Sequence, residues 1–120
     1  MKPFVVRAAF HFRGVLFFPG DKAIAHRAAI LGSLAKGTTV IQNFPKNKDC
    51  LATIAALKKL GVTIILKKQK KEACVFSVSG KGLAGLDKPA SPLFMGNSGT
   101  TLRLLLGVLA GQEFKTVYYR

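Results

Sequence analysis

The chain has 120 residues, 49% of them hydrophobic, and sets 19 Lys and Arg against 5 Asp and Glu for a formal net charge of +14. That apolar content excludes a disordered basic arm; no uncharged run reaches the ~18 apolar residues a membrane span requires, and the first residues lack the apolar stretch of a signal peptide. The two cysteines, Cys50 and Cys74, have no metal or redox spacing, which excludes a disulfide scaffold and fits core thiols in a reducing cytoplasm.

Residues 4–8 and 14–18, rich in Val and Phe, predict two short strands. Pro19-Gly20 is a turn signal. Asp21 stands at a helix N-cap position, and residues 22–36 carry Ile24, Ala28, Ile30, Leu31, Leu34 and Ala35 as an apolar helix face, with Gly37 in the C′ position. Residues 38–44 (Thr-Thr-Val-Ile-Gln-Asn-Phe) are strand-like. Asn47-Lys48-Asp49 starts a second helix, whose Leu51, Ile54, Ala55, Leu57 and Leu60 precede a stop at Gly61. A strand over 62–66, a charged hairpin tip over 67–72 and a returning strand over 73–79 follow. Residues 80–86 read as a short glycine-broken strand or turn, and Pro89 and Pro92 mark a loop. A third helix lies within 96–111, and 116–119 begins another strand. The order β-β-α-β-α-β-β-β-α-β describes an α/β (α+β) fold without an internal linker. One echo is visible: Gly20 and Gly96 each lie seven residues before an arginine, Arg27 and Arg103, and similar apolar segments follow, which hints at a repeated unit.

Two segments carry chemistry. In Pro19-Gly20-Asp21-Lys22-Ala23-Ile24-Ala25-His26-Arg27, Lys22 falls in the first turn of a helix, where a cation is unfavourable by about 0.3–1 kcal/mol. A residue set against a local rule points to function. With Arg27 and the free N–H groups, Lys22 makes an anion pocket, or else both cations point into water. In Gly96-Asn97-Ser98-Gly99-Thr100-Thr101-Leu102-Arg103, glycines and small polar groups open a helix, either as an ordinary N-cap or as a ligand cradle. The segment lacks the Gly-Lys-Ser/Thr ending of a nucleotide P-loop. Of the carboxylates, Asp21 and Asp49 are explained by capping, and Glu72, Asp87 and Glu113 lie in a hairpin tip, a loop and a last turn. None forms an acid/base pair. His26 is either a base or a motif residue packed beside Lys22; His11 reads as structural or exposed.

These two segments resemble the signatures of the 5-enolpyruvylshikimate-3-phosphate synthase family, Pro-Gly-Asp-Lys-Ser-Ile-Ser-His-Arg and Gly-Asn-Ser/Ala-Gly-Thr. Gly37-Thr38-Thr39, Asn43-Phe44, Asp49 and Leu57 through Gly61 fit as well, so the similarity covers essentially the whole chain. The related enzyme acting on UDP-N-acetylglucosamine is the weaker match, because it usually has Gly-Ala-Lys-Asn where this chain has Gly-Asp-Lys-Ala. The resemblance implies a partial enolpyruvyl-transferase fold of repeated β-α-β-α-β-β units, half of an inside-out α/β barrel. Residues 1–120 would be its N-terminal portion, with 1–18 leading into the hinge and 19–120 forming the repeat region.

The function it implies is transfer of the enolpyruvyl group of phosphoenolpyruvate to the 5-hydroxyl of shikimate 3-phosphate, in the shikimate pathway, without metal or organic cofactor. Lys22, Ala23 and Arg27 would bind shikimate 3-phosphate; Lys22, Asn97, Gly99 and Thr100 would line the phosphoenolpyruvate side, where glyphosate competes; and Lys22 would be the catalytic cation. Ala23 and Ala25 depart from the family's serines, and family members are several times longer. The isolated chain is therefore expected to be inactive, its partners being small anionic substrates and a missing C-terminal half, with neither membrane nor nucleic acid. The competing reading, a nucleic-acid module built on Lys58, Lys59, Lys67, Lys68, Lys70 and Lys71, is weakened by the lack of interleaved stacking aromatics.

Overall fold

A computed structural model describes residues 5, 7, 13–15 and 18–119. The strands expected over 4–8 and 14–18 fall largely outside the described residues, as do His11 and Phe17. From there the chain runs α1 (Lys22–Leu34), β1 (Lys36–Pro45), α2 (Lys48–Lys59), β2 (Thr63–Gln69), β3 (Ala73–Lys81), β4 (Leu93–Phe94), α3 (Gly99–Ala110) and β5 (Tyr118–Tyr119). The expected α/β order is present, with corrections at three places.

The first correction concerns Gly37. The helix ends at Leu34, and the Ala35 N–H closes onto the Leu31 carbonyl, 2.9 Å away, before the backbone turns extended. Gly37, at φ +88°, is thus a residue of β1 opposite Gly80, not a helix cap. Gly61 does cap α2 as expected: at φ +83° it donates to Lys58, and Val62 donates to Leu57, the double closure of a Schellman end. The second correction is β4, which lies within the segment expected to be loop and pairs in parallel with β5, Leu93 against Tyr118. The third is the hairpin tip, shorter than expected because β2 continues to Gln69. Residues 80–86, read as a short glycine-broken strand or turn, are the end of β3 at Lys81 and then a turn closed by the Gly85 N–H on the Gly82 carbonyl.

β3 occupies the centre of an antiparallel sheet in the order β1-β3-β2. Period-2 alternation sends Phe76 and Val78 to one face with their partners Ile41 and Ile64. All four are buried, and Phe44 meets Phe76 edge to face at 5.2 Å between ring centres. The opposite row, with Val40, Ser77 and Ile65 aligned, leaves Val40 and Ile65 exposed. The helices supply the other half of the core through Ala29, Ile30, Ile54, Leu57 and Leu105. A bulge in β1 between Ile41 and Phe44 turns the Asn43 carbonyl toward the entry of α1, where the Gly20 N–H donates to it at 2.9 Å. The sheet therefore fixes where the first helix begins.

Close approach of α1 to β3 depends on Gly80. A Cβ there would stand 2.1 Å from the Ala35 carbonyl oxygen and 2.7 Å from that of Gly32, both backbone atoms with no room to yield. Gly80→Ala should therefore cost about 1–3 kcal/mol of stability, seen as a lower urea midpoint. Gly107 in α3 has open space around its Cβ position. Gly107→Ala should raise stability by about 0.5–1 kcal/mol, and the pair of urea midpoints checks both signs.

Candidate anion-binding site at three helix starts

Each helix opens on a side chain that accepts one of its orphan N–H groups. Asp21 accepts from the Ile24 N–H at 2.8 Å, Asn47 from Cys50 at 2.8 Å, and Ser98 from Thr101 at 3.1 Å. The starts of α1, α2 and α3 come together on one side of the domain, and Asp49 joins them. Its carboxylate, from the first turn of α2, pairs with the Lys22 ammonium at the start of α1. Its backbone carbonyl accepts from the Thr101 hydroxyl of α3 at 3.2 Å. Asp49 thus offsets the unfavourable placement of Lys22 that the sequence exposes, and its hydrogen bond is the main cause that raises the Lys22 pKa. Lys22 is a charged ammonium, half-exposed, held at the mouth of the cluster.

Behind Lys22 the contacts are buried. His26 is fully enclosed, with Nδ1 2.7 Å from the Thr53 hydroxyl and Nε2 3.8 Å from the Cys50 sulfur. Thr53 Oγ1 lies 2.8 Å from Thr101 Oγ1, which in turn donates to Ser98 Oγ at 2.8 Å. Burial lowers the His26 pKa, and the nearby charges of Lys22 and Arg27 press it the same way against the smaller pull of Asp49. The imidazole is therefore neutral near pH 7. Burial likewise raises the Cys50 pKa and keeps it a thiol; Cys74 is also free and buried, as expected.

Of the residues singled out from sequence, Lys22 is brought to the start of α3 through Asp49. Arg27 lies outside this contact set: it is exposed and donates from Nη1 to the Ala23 carbonyl of its own helix at 3.0 Å. Ala23 is exposed beside it, whereas Ala25 is core. Asn97 is exposed and Thr100 half-buried at the start of α3. A Cβ on Gly99 would meet only the Arg103 guanidinium, at 4.0 Å, so no packing within the protein demands a glycine there. Asp49 was read as a cap, but Asn47 caps α2 and frees Asp49 to pair. The presence of two capping residues at one helix start was the available signal. Thr53 gave none, as an ordinary residue inside an apolar helix.

A cavity of about 540 Å³ lined by Phe18, Asn43, Lys70 and Glu72 among others lies beside the hairpin and shares no residue with the helix-start cluster. Among the described residues, no group of three or more His, Cys, Asp or Glu is placed to hold a metal ion. No helix among them is long and apolar enough to cross a membrane.

The family model described as EPSP synthase (3-phosphoshikimate 1-carboxyvinyltransferase) matches residues 6–118. A 3-phosphoshikimate 1-carboxyvinyltransferase of Lactiplantibacillus plantarum is 46% identical over 97% of this chain and 26% of its own length. One of Limosilactobacillus fermentum is 54% identical over 84% of this chain and 22% of its own. The solved EPSP synthase of Acinetobacter baumannii superposes with a TM-score of 0.78 at 42% identity, covering 88% of this chain and 23% of that one. The chain thus spans about a quarter of the length of the curated relatives it matches.

The buried imidazole gives the fold a pH dependence. Folding holds His26 neutral at pH values where the unfolded chain protonates it. Protons therefore favour the unfolded state, and this contribution, complete above about pH 6.5, is lost as pH falls toward the lower folded pKa. The melting temperature should drop between about pH 7.5 and about pH 5.5, and drop less in His26→Gln. Equal drops in both proteins would exclude His26 as the cause.

Proposed function

Because the chain belongs to the EPSP synthase family, we propose that it supplies one wall of a cleft in which phosphoenolpyruvate meets shikimate 3-phosphate and the enolpyruvyl group is transferred to the sugar-acid hydroxyl. The observation that carries this reading is the convergence at Asp49, whose side chain holds Lys22 while its carbonyl holds Thr101. A single anion lying against Lys22 therefore also faces the N–H groups at the start of α3. Two helix starts directed at one place give backbone donors and partial positive charge, and a half-exposed lysine between them adds a full charge.

The Lys22 ammonium has three N–H donors and can take up substrate oxygens while it keeps Asp49. As the ketal intermediate forms and negative charge shifts among the phosphate and carboxylate oxygens, its ammonium stabilises that charge, the electrostatic contribution that is usually largest in catalysis. Arg27, which donates to a carbonyl of its own helix, swings out to form a two-pronged contact with the phosphate of shikimate 3-phosphate. Ala23 sits beside it on the same side. Asn97, Gly99 and Thr100 face phosphoenolpyruvate. The open space at Gly99 supports this assignment, because the glycine leaves room for a ligand instead of relieving a protein contact.

The carboxylates at the site are already committed, Asp21 to the Ile24 N–H and Asp49 to Lys22. His26 is enclosed. Proton transfer to and from the enol carbons therefore falls to groups of the further chain that complete such an enzyme, and the 120-residue chain alone binds without turnover. In this reading residues 19–120 form the repeat region, 1–18 lead toward the hinge, and the whole works in the cytoplasm on small anions. The match to the EPSP synthase model favours shikimate 3-phosphate over UDP-N-acetylglucosamine as the acceptor.

Calorimetric titration of the chain with shikimate 3-phosphate tests the reading. Binding should weaken at least tenfold in Lys22→Ala, and identical isotherms for both proteins would sink it. Ala23→Ser adds a hydroxyl at the exposed start of α1 and should tighten binding by about 1.5–3 kcal/mol, the worth of a hydrogen bond to a charged group. Gly99→Ala separates ligand from fold: the melting temperature should hold, while added phosphoenolpyruvate should no longer shift the amide resonances of Asn97 and Thr100.

A further inference from the structure

The buried polar chain behind Lys22 has a direction, and counting its protons reveals it. A hydroxyl has one proton to give and can accept two, a carbonyl only accepts, and a neutral imidazole has one N–H. Thr101 Oγ1 is placed to donate to Ser98 Oγ at 2.8 Å and to the Asp49 carbonyl at 3.2 Å, so its one proton lies on that side. The 2.8 Å contact between the two threonine hydroxyls must then use the proton of Thr53. With that proton spent, Thr53 can only accept across its 2.7 Å contact with His26, so Nδ1 of His26 carries the hydrogen. Nε2 is left bare, facing the Cys50 sulfur at 3.8 Å inside the protein. The Thr101 proton is shared between Ser98 Oγ and the Asp49 carbonyl, the protons of Thr53 and His26 serve one contact each, and the Cys50 thiol faces both Nε2 and the Lys22 carbonyl, each 3.8 Å from the sulfur.

We propose that His26 is a positioning residue, a neutral imidazole fixed in the Nδ1–H form at the head of a one-way hydrogen-bond chain through Thr53 and Thr101 that sets the start of α3 against the starts of α1 and α2. The chain reaches Ser98, the N-cap of α3, and Asp49, the partner of Lys22. It therefore ties the cation on one helix to the N–H groups of another across sequence separations of 27 and 48 residues. The lone pair of the imidazole points at a buried sulfur and not into the open site, so His26 orients other groups and takes no proton from a ligand. This goes beyond the substrate assignment and is independent of which anion occupies the pocket.

Long-range proton–nitrogen correlation spectra of the 120-residue chain, ligand-free at about pH 7.5 where the neutral imidazole prevails, read the tautomer directly. The chain has two histidines, and His11→Gln identifies the signals of His26. Nδ1 should appear protonated and Nε2 as the bare nitrogen; an Nε2–H form or an averaged mixture would overturn the proposal. Thr53→Val removes the acceptor and should shift His26 toward the other tautomer and displace the amide signals of Ser98 to Thr101, with Thr53→Ser restoring both. Unchanged His26 nitrogens in Thr53→Val would also overturn it. Should that variant not fold, the parent and Thr53→Ser spectra still decide. None of these readings involves a ligand, so failure of shikimate 3-phosphate to bind would defeat the functional reading and leave this one standing.

Discussion

Four polar side chains, His26, Thr53, Ser98 and Thr101, are enclosed where α1, α2 and α3 meet. Burying a polar group without a partner costs several times what a satisfied hydrogen bond contributes. Close apolar packing already resists sliding of the three helices, and the hydroxyl chain adds a directional constraint: a shift that broke any link would strand a donor or acceptor away from water. Among the described residues no buried side-chain nitrogen or oxygen lacks a partner. The constraint therefore acts on geometry more than on total stability, and the geometry it fixes is that of Lys22, Asp49 and the start of α3.

Charge is arranged around this centre unevenly. Lys22–Asp49 and Lys81–Asp87 are the ion pairs among the described residues, so most of the cations behind the net charge of +14 have no fixed counter-charge. Lys67 and Lys68 lie exposed on β2 at the edge of the sheet, with Lys70 and Lys71 at the tip. Lysines on an edge strand discourage pairing with another chain, which gives this basic run a structural purpose that needs no polyanion. The site itself uses few charges. It offers one lysine and converging helix starts, features that suit an anion.

Local signals were readable in the sequence, and non-local ones were not. The cap Asp21, the helix start at Asn47-Lys48-Asp49 and the stop at Gly61 follow from chemistry within four residues, and the structure has them as expected, with Asn47 and not Asp49 as the cap of α2. Gly37 misled because a glycine just past an apolar helix looks the same whether it caps the helix or opens the next strand. The choice was made by Gly80, which allows α1 to sit down on β3 far along the chain. β4 was invisible for a similar reason. Two residues carry no periodicity, and the strand exists only because residues 118 and 119 return to pair with it. The site shows the same division. Lys22, Arg27 and the Asn97–Thr100 segment stood out by composition and motif, while Thr53 and the bridging role of Asp49 required three helices to be placed in space.

His26 brings these threads together. In sequence, a histidine between a lysine and an arginine in an anion-binding segment can be read as a base. In the fold burial first, and then the charge of Lys22, lower its pKa, and its remaining lone pair faces inward. Enclosure is therefore what chiefly disqualifies this imidazole from proton transfer. His26, enclosed and 2.7 Å from the Thr53 hydroxyl, therefore belongs to the framework that holds the three helix starts together, and Lys22 is the charged group left at their mouth.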